Sequence, residues 1–142
     1  MKVAIASDHP GFKLKETLKV YLKSQNHEVI DCGTDSEDPV DYPDLGKKVA
    51  EQISNKAVDV GVLVCGSGIG MFMTANRYKG VRAAVINDEF DAEMSRMHND
   101  ANIACFGARK ISEDTAKKLL TLWLKTPFEG GRHVKRVKKI EL

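Results

Sequence analysis

No apolar run in this chain approaches the ~20 residues needed to cross a bilayer, and its first residues lack the basic, apolar and small-residue succession of a secretory leader. The expectation is a cytoplasmic protein without a membrane partner. Cysteines number only three. Cys32, Cys65 and Cys105 are widely spaced and include no Cys-x-x-Cys pair, which argues against a disulfide framework and against a zinc site. One-sided charge is missing too: 22 Lys and Arg stand against 20 Asp and Glu, a net +2, too little to suggest a nucleic-acid partner. No internal repeat or low-complexity segment occurs, and no linker appears before Thr126. Residues 1–142 therefore read as one domain, long enough to bury a substantial core.

What is present is an alternation of short β-type runs with amphipathic segments. Val3 to Ala6 reads as a strand, and Phe12 to Gln25 as a helix with Leu14, Leu18, Tyr21 and Leu22 on one face. Further strands are expected at Glu28 to Cys32, Val60 to Val64, Arg82 to Ile86 and Ile103 to Phe106, with Cys105 in the core. Pro43 suits the first turn of a helix that buries Leu45, Val49 and Ile53; Glu89 to Met97 forms another, and Ser112 can cap a long helix carrying Leu119, Leu120 and Trp123. Strand and helix alternating throughout imply an α/β fold: a five-stranded parallel sheet with right-handed crossovers and helices on both faces. A basic tail follows, about 127–142, in which Arg132, Arg136 and Lys139 share one helical face and Val134, Val137 and Ile140 another. Such a tail is either a solvated basic face or a clasp on a partner subunit.

The stretch Cys65-Gly66-Ser67-Gly68-Ile69-Gly70 is the turn from the central strand into a helix expected at Met71 to Asn76. Ligands of open α/β sheets bind at such carboxyl ends. Three alternating glycines let successive N–H groups converge, and the helix adds its positive end, so an oxyanion or enolate can be held beside the Cys65 sulfur. A tight turn with a buried cysteine is the plainer alternative. A dinucleotide fingerprint is excluded because only Ile69 separates Gly68 from Gly70, and a P-loop because Met71 and Phe72 follow the last glycine. Asp8 and His9 lie at the same end of the sheet as Cys65, in a turn where Asp8 is either a turn former or a functional group.

Together, Asp8-His9, Asp41-Tyr42-Pro43, the Cys65 to Gly70 loop, His98-Asn99-Asp100, Gly107-Ala108-Arg109 and Gly130-Gly131-Arg132-His133 with Arg136 resemble, in order and spacing, the ribose-5-phosphate isomerase B family. The wider group contains galactose-6-phosphate isomerase subunits, which do not keep the His-Asn-Asp run. The resemblance implies a Rossmann-like three-layer sandwich, an aldose–ketose isomerase of pentose phosphate metabolism, a phosphorylated sugar as substrate, and neither metal nor cofactor. It implies Cys65 as the base, Ser67 where threonine is common, and His98 as the acid/base that opens the sugar ring. One branch of the family uses a glutamate after the glycine loop; Met71 stands there, which leaves Cys65.

For binding, the resemblance implies Gly66, Gly68, Ile69 and Gly70 around the enediolate, and Asp8 and Asn99 on the sugar hydroxyls. His9, Arg132 and Arg136 form the phosphate clamp, Arg109 is a further binding arginine, and Tyr42 is a lid or a packing residue. It also implies a homodimer with shared sites, or a tetramer, with the tail against the neighbouring subunit. His27 reads as an exposed loop residue and His133 as a neighbour of the clamp without a part of its own. The same chemistry on a hexose 6-phosphate, and a non-catalytic module that senses a phosphosugar, are the competing functions.

Overall fold

Apolar alternation along the strands divides the core between two helical layers. The computed structural model describes residues 1–141. Its strands are β1 (Lys2–Ser7), β2 (Glu28–Asp31), β3 (Val60–Cys65), β4 (Ala83–Val85) and β5 (Ile103–Gly107). All neighbours pair in parallel, in the order β2-β1-β3-β5-β4. Val3, Ile5, Val62, Val64 and Phe106 point to one face, Ala4, Ala6, Leu63, Cys65 and Cys105 to the other. The first face is covered by α1 (Phe12–Ser24), α4 (Glu89–Met97) and α5 (Glu113–Lys125), through Leu18, Ala92 and Trp123. The second is covered by α2 (Tyr42–Ser54) and α3 (Ile69–Ala75), through Val49 and Met71. This is the expected three-layer α/β sandwich.

Element boundaries follow local chemistry. Ser112 caps α5 by accepting from the Thr115 N–H at 3.1 Å, as its position suggests. The helix after the glycine loop starts at Ile69 rather than Met71, because Gly68 adopts φ +82° and turns the chain at once. Ile69 and Gly70 therefore belong to its first turn, where amides are free of helical partners. Met71 is fully buried and faces the core.

The tail forms α6 (His133–Ile140). It begins with a buried His133, and beyond it Glu141 accepts from Arg82 Nη1 at 2.7 Å and from the Gly80 N–H at 3.2 Å, so the tail closes on its own chain. Val134, Arg136 and Ile140 between these anchors, and Arg132 just before them, remain exposed.

One charged pair is built into the sandwich. Lys15 on α1 has no exposed surface, and its Nζ lies 2.8 Å from both carboxylate oxygens of Asp31. Burial raises the Asp31 pKa, but the bonds from Lys15 and Lys19 outweigh it and hold the carboxyl at about 2. Its contribution is complete above the unfolded value of ~3.9 and is lost as pH falls through about 2. Asp31→Asn strands the Lys15 ammonium with only Glu16, 3.4 Å away, and is expected to cost about 3 kcal/mol. Urea unfolding at pH 7 measures this, and the loss of stability between pH 4 and 2 should be shallower in the variant. A difference below about 0.5 kcal/mol would show that the pair contributes no net stability.

Candidate active site

The strand order changes direction between β1 and β3, which opens a crevice beyond their carboxyl ends. Asp8 follows β1, and its N–H donates to the Val64 carbonyl at 3.2 Å, which fastens this turn to the end of β3. The Asp8 carboxylate accepts from the Gly11 N–H at 3.0 Å. It is only 6% exposed. Burial pushes its pKa up, against the Gly11 bond and the charges of His9 and Arg109.

Cys65 ends β3, almost fully buried, and its Sγ accepts from the Gly68 N–H at 3.1 Å. The Ser67 hydroxyl accepts from the Ile69 N–H at 3.2 Å. Among the described residues the N–H groups of Gly66, Ser67 and Gly70 have no protein partner, so donors gather beside the sulfur. The Tyr42 ring at the start of α2 lies so close to Gly70 that a Cβ there would come within 2.7 Å of it. The Arg109 guanidinium covers Gly66, with Nη1 3.2 Å from where a Cβ would stand.

Asp8, Tyr42, Cys65, Gly66, Ser67, Ile69, Gly70 and Arg109 thus line one cavity of about 530 Å³, whereas Gly68, also expected there, is buried behind the loop and is not part of the lining. Pro10, Met73 and Lys110 complete the wall, three residues that the motifs gave no reason to single out. His9 adjoins it, with Nδ1 accepting from the Val40 N–H at 3.2 Å. The cavity offers a buried sulfur, unpaired amides, a carboxyl group and an arginine. That set can take a proton from carbon and hold the resulting oxyanion.

His98, Asn99, Arg132 and Arg136 are not there. α4 runs back from the carboxyl end of β4, so its cap His98 lies at the amino end of the sheet, and β5 separates it from the Cys65 level by about 13 Å of strand. Asn99 lines a different cavity, beside Arg77, Arg82 and Glu141. His98 instead forms a cluster with His133 and Glu129. The two rings stack with centroids 4.2 Å apart. The Glu129 carboxylate lies 3.9 Å from His98 Nε2 and 3.7 Å from His133 Nε2.

His133, expected to be a neighbour without a part of its own, is thus in direct contact with His98. Glu129 precedes His133 by four residues across Gly130-Gly131, a spacing that by itself does not point to His98. One donor atom from each of these three residues falls within 4.8 Å of the others, the spacing of a loose metal site. The rings, however, are within 16° of parallel, so their lone pairs lie in nearly parallel planes and converge poorly on one ion.

Comparison with known proteins agrees with this architecture. The Ribose/Galactose Isomerase family profile matches residues 3–140. Ribose-5-phosphate isomerase B of Escherichia coli is 41% identical over 139 residues, covering 98% of this chain and 93% of that protein. The solved structure of ribose-5-phosphate isomerase B from Clostridium thermocellum superposes with a TM-score of 0.97 at 47% identity, covering 99% of this chain and 95% of its own. The Mycoplasma genitalium ribose-5-phosphate isomerase B, solved with bound ribulose-5-phosphate, gives 0.94 at 38% identity and covers 98% and 93%.

The raised Asp8 pKa carries a sign. A carboxyl whose folded value lies above its unfolded one destabilises the fold where it is charged, so Asp8→Asn, which keeps an acceptor for Gly11, should raise the melting temperature at pH 8. The gain should shrink as pH falls toward 4. A lower melting temperature at pH 8 would show that the ionised carboxylate is a net stabiliser.

Proposed function

The chain belongs to the Ribose/Galactose Isomerase family, and on that premise we propose that it interconverts ribose 5-phosphate and ribulose 5-phosphate through an enediolate, at sites shared by two copies of the chain. The observation that carries this is the Cys65 sulfur set among the unpaired amides of Gly66, Ser67 and Gly70 at the mouth of the crevice. In the open-chain aldose, Cys65 takes the C2 proton while the negative charge develops on O1. Those amides are where the charge is received, and each well-placed donor in such a hole contributes roughly 2.7–4 kcal/mol. The same sulfur returns the proton to C1, and the O2 proton passes to O1, which leaves the ketose. Ser67 supplies a hydroxyl beside this step, while Asp8 and Tyr42 face the sugar.

Three requirements of the reaction are not met by this cavity alone: opening the furanose ring, holding the far hydroxyls, and completing a site for a dianionic phosphate beside Arg109. His98, Asn99, Arg132 and Arg136 have the chemistry for them, the arginines as forks for phosphate oxygens together with His9 and Arg109. They lie at the other end of the same chain. A second copy, with its His98 end against the Cys65 end of the first, supplies them. The exposed Arg132, Arg136 and Val134 of α6 suit such a contact.

Turnover of ribose 5-phosphate should exceed that of allose 6-phosphate and galactose 6-phosphate. Cys65→Ala should lower it by about 10²–10⁴-fold while retaining phosphate-ligand binding. A hexose preference would change the substrate but keep the chemistry, and absence of turnover on all three would leave a sensing module. Mixing inactive Cys65→Ala and His98→Asn chains should restore roughly a quarter of wild-type activity through composite dimers with one intact site. No recovery, with subunit exchange verified, would place each site within one chain.

A further inference from the structure

The corner that carries His98 is constructed in detail. The Arg96 Nε donates to the Thr126 carbonyl at 3.2 Å, and the Glu129 N–H donates to the Met97 carbonyl at 3.0 Å, so the segment after α5 is fastened along the last turn of α4. Gly130 and Gly131, at φ +72° and +53°, then reverse the chain in a conformation few other residues adopt. That reversal starts α6 with the His133 ring flat on His98. His133 is 5% exposed, and its Nε2 has no hydrogen-bond partner. The nearest acceptor is the half-exposed Glu129 carboxylate, with one oxygen toward each ring.

We propose that Glu129 and His133 are positioning residues for His98: His133 fixes the plane of the ring, and the Glu129 carboxylate, set across both imidazoles, supports the positive charge His98 carries while it moves a proton in ring opening. The proposal rests on His98 being that acid/base.

The surrounding charges agree with this division. His133 is held below the ordinary histidine range by burial first, then by the positive groups at His98, Arg132 and Arg136, which outweigh Glu129. Two imidazolium rings about 4 Å apart would repel strongly, so the buried His133 is the member of the pair suited to stay neutral beside a charged His98. Asp100, the other carboxylate nearby, is engaged by Arg82 and Arg96. Glu129 is therefore the carboxylate left to answer a charge on His98. At 3.7–3.9 Å its oxygens are within ion-pair reach but beyond hydrogen-bond contact, free to close on His98 when that ring is charged.

Ribulose 5-phosphate provides a control that needs no ring step, because its C5 hydroxyl is esterified and no other hydroxyl can close a five-membered ring. In the full-length protein, Glu129→Gln should lower kcat on ribose 5-phosphate about tenfold with KM changed less than about twofold. Glu129→Asp should recover part of the loss. Uptake of solvent deuterium at C1 of ribulose 5-phosphate should fall much less than kcat. A kcat within about twofold of wild type, or deuterium uptake reduced as much as kcat, would overturn the proposal; where the wild type shows no uptake, the kcat series decides alone. His98→Asn with wild-type turnover would remove the premise, an outcome distinct from an active His98 unaffected by Glu129.

Discussion

In a parallel sheet each helix runs opposite to its strands, and every βα turn lies at one end and every αβ turn at the other. That constraint governs this molecule. Cys65 closes β3 in a βα turn, whereas His98 closes α4 in an αβ turn, and β5 stands between the two levels. No loop rearrangement within one chain can bring these groups to one sugar without dismantling the sheet. Either the two ends serve separate purposes, or two chains meet with the His98 end of one at the Cys65 end of the other. The second is the arrangement proposed above, in which two-fold symmetry would complete both sites at once.

The glycine-loop end is rigid for reasons traceable to single bonds. Asp31 is the centre of a chain of contacts: it binds the buried Lys15, accepts from the Gly33 N–H at 2.9 Å, and the Gly33 carbonyl in turn accepts from the Ser7 N–H at 2.8 Å. Ser7 precedes Asp8, which is tied to Val64, next to Cys65. A charged pair that stabilises the fold thus reaches Asp8, in the wall of the cavity, through Gly33 and Ser7. Such a connection matters because an oxyanion hole acts only when its donors are held before the charge arrives.

Much of this was legible in the amino-acid order. The alternation of apolar runs predicts five parallel strands and the helical layers, and the glycine loop after the central strand marks the crevice. Boundaries moved where one residue's backbone decided, as Gly68 did by starting α3 two residues early. The resemblance in motifs supplied the roles, and the structure gathers eight of the expected site residues around one cavity. The partition of the remaining residues at the opposite end was legible only through topology, since motif order along a chain does not say which end of a sheet a residue occupies. Glu129 and His133 escaped because their significance lies in a reversed turn and a ring stack. Neither is a periodic pattern, and a glutamate before two glycines reads as an ordinary solvated loop.

Dividing the site between rigid strand ends and a helix corner fits the two kinds of chemistry. Proton transfer at carbon needs a fixed sulfur and fixed amides, and these sit on β3 and the first turn of α3. Ring opening needs a group that can gain and lose a proton near neutral pH, and histidine is the residue whose ordinary titration lies there. Such a group is sensitive to its neighbours, and the two arginines suited to binding phosphate would oppose its charge. A carboxylate beside His98 offsets that opposition, whereas a carboxylate at the Cys65 end would oppose formation of the enediolate. Asp8 is the carboxyl at that end, and burial raises its pKa, so its charge is held there at a cost to the fold. In the composite site proposed above, each of these two environments would be supplied by its own end of a chain.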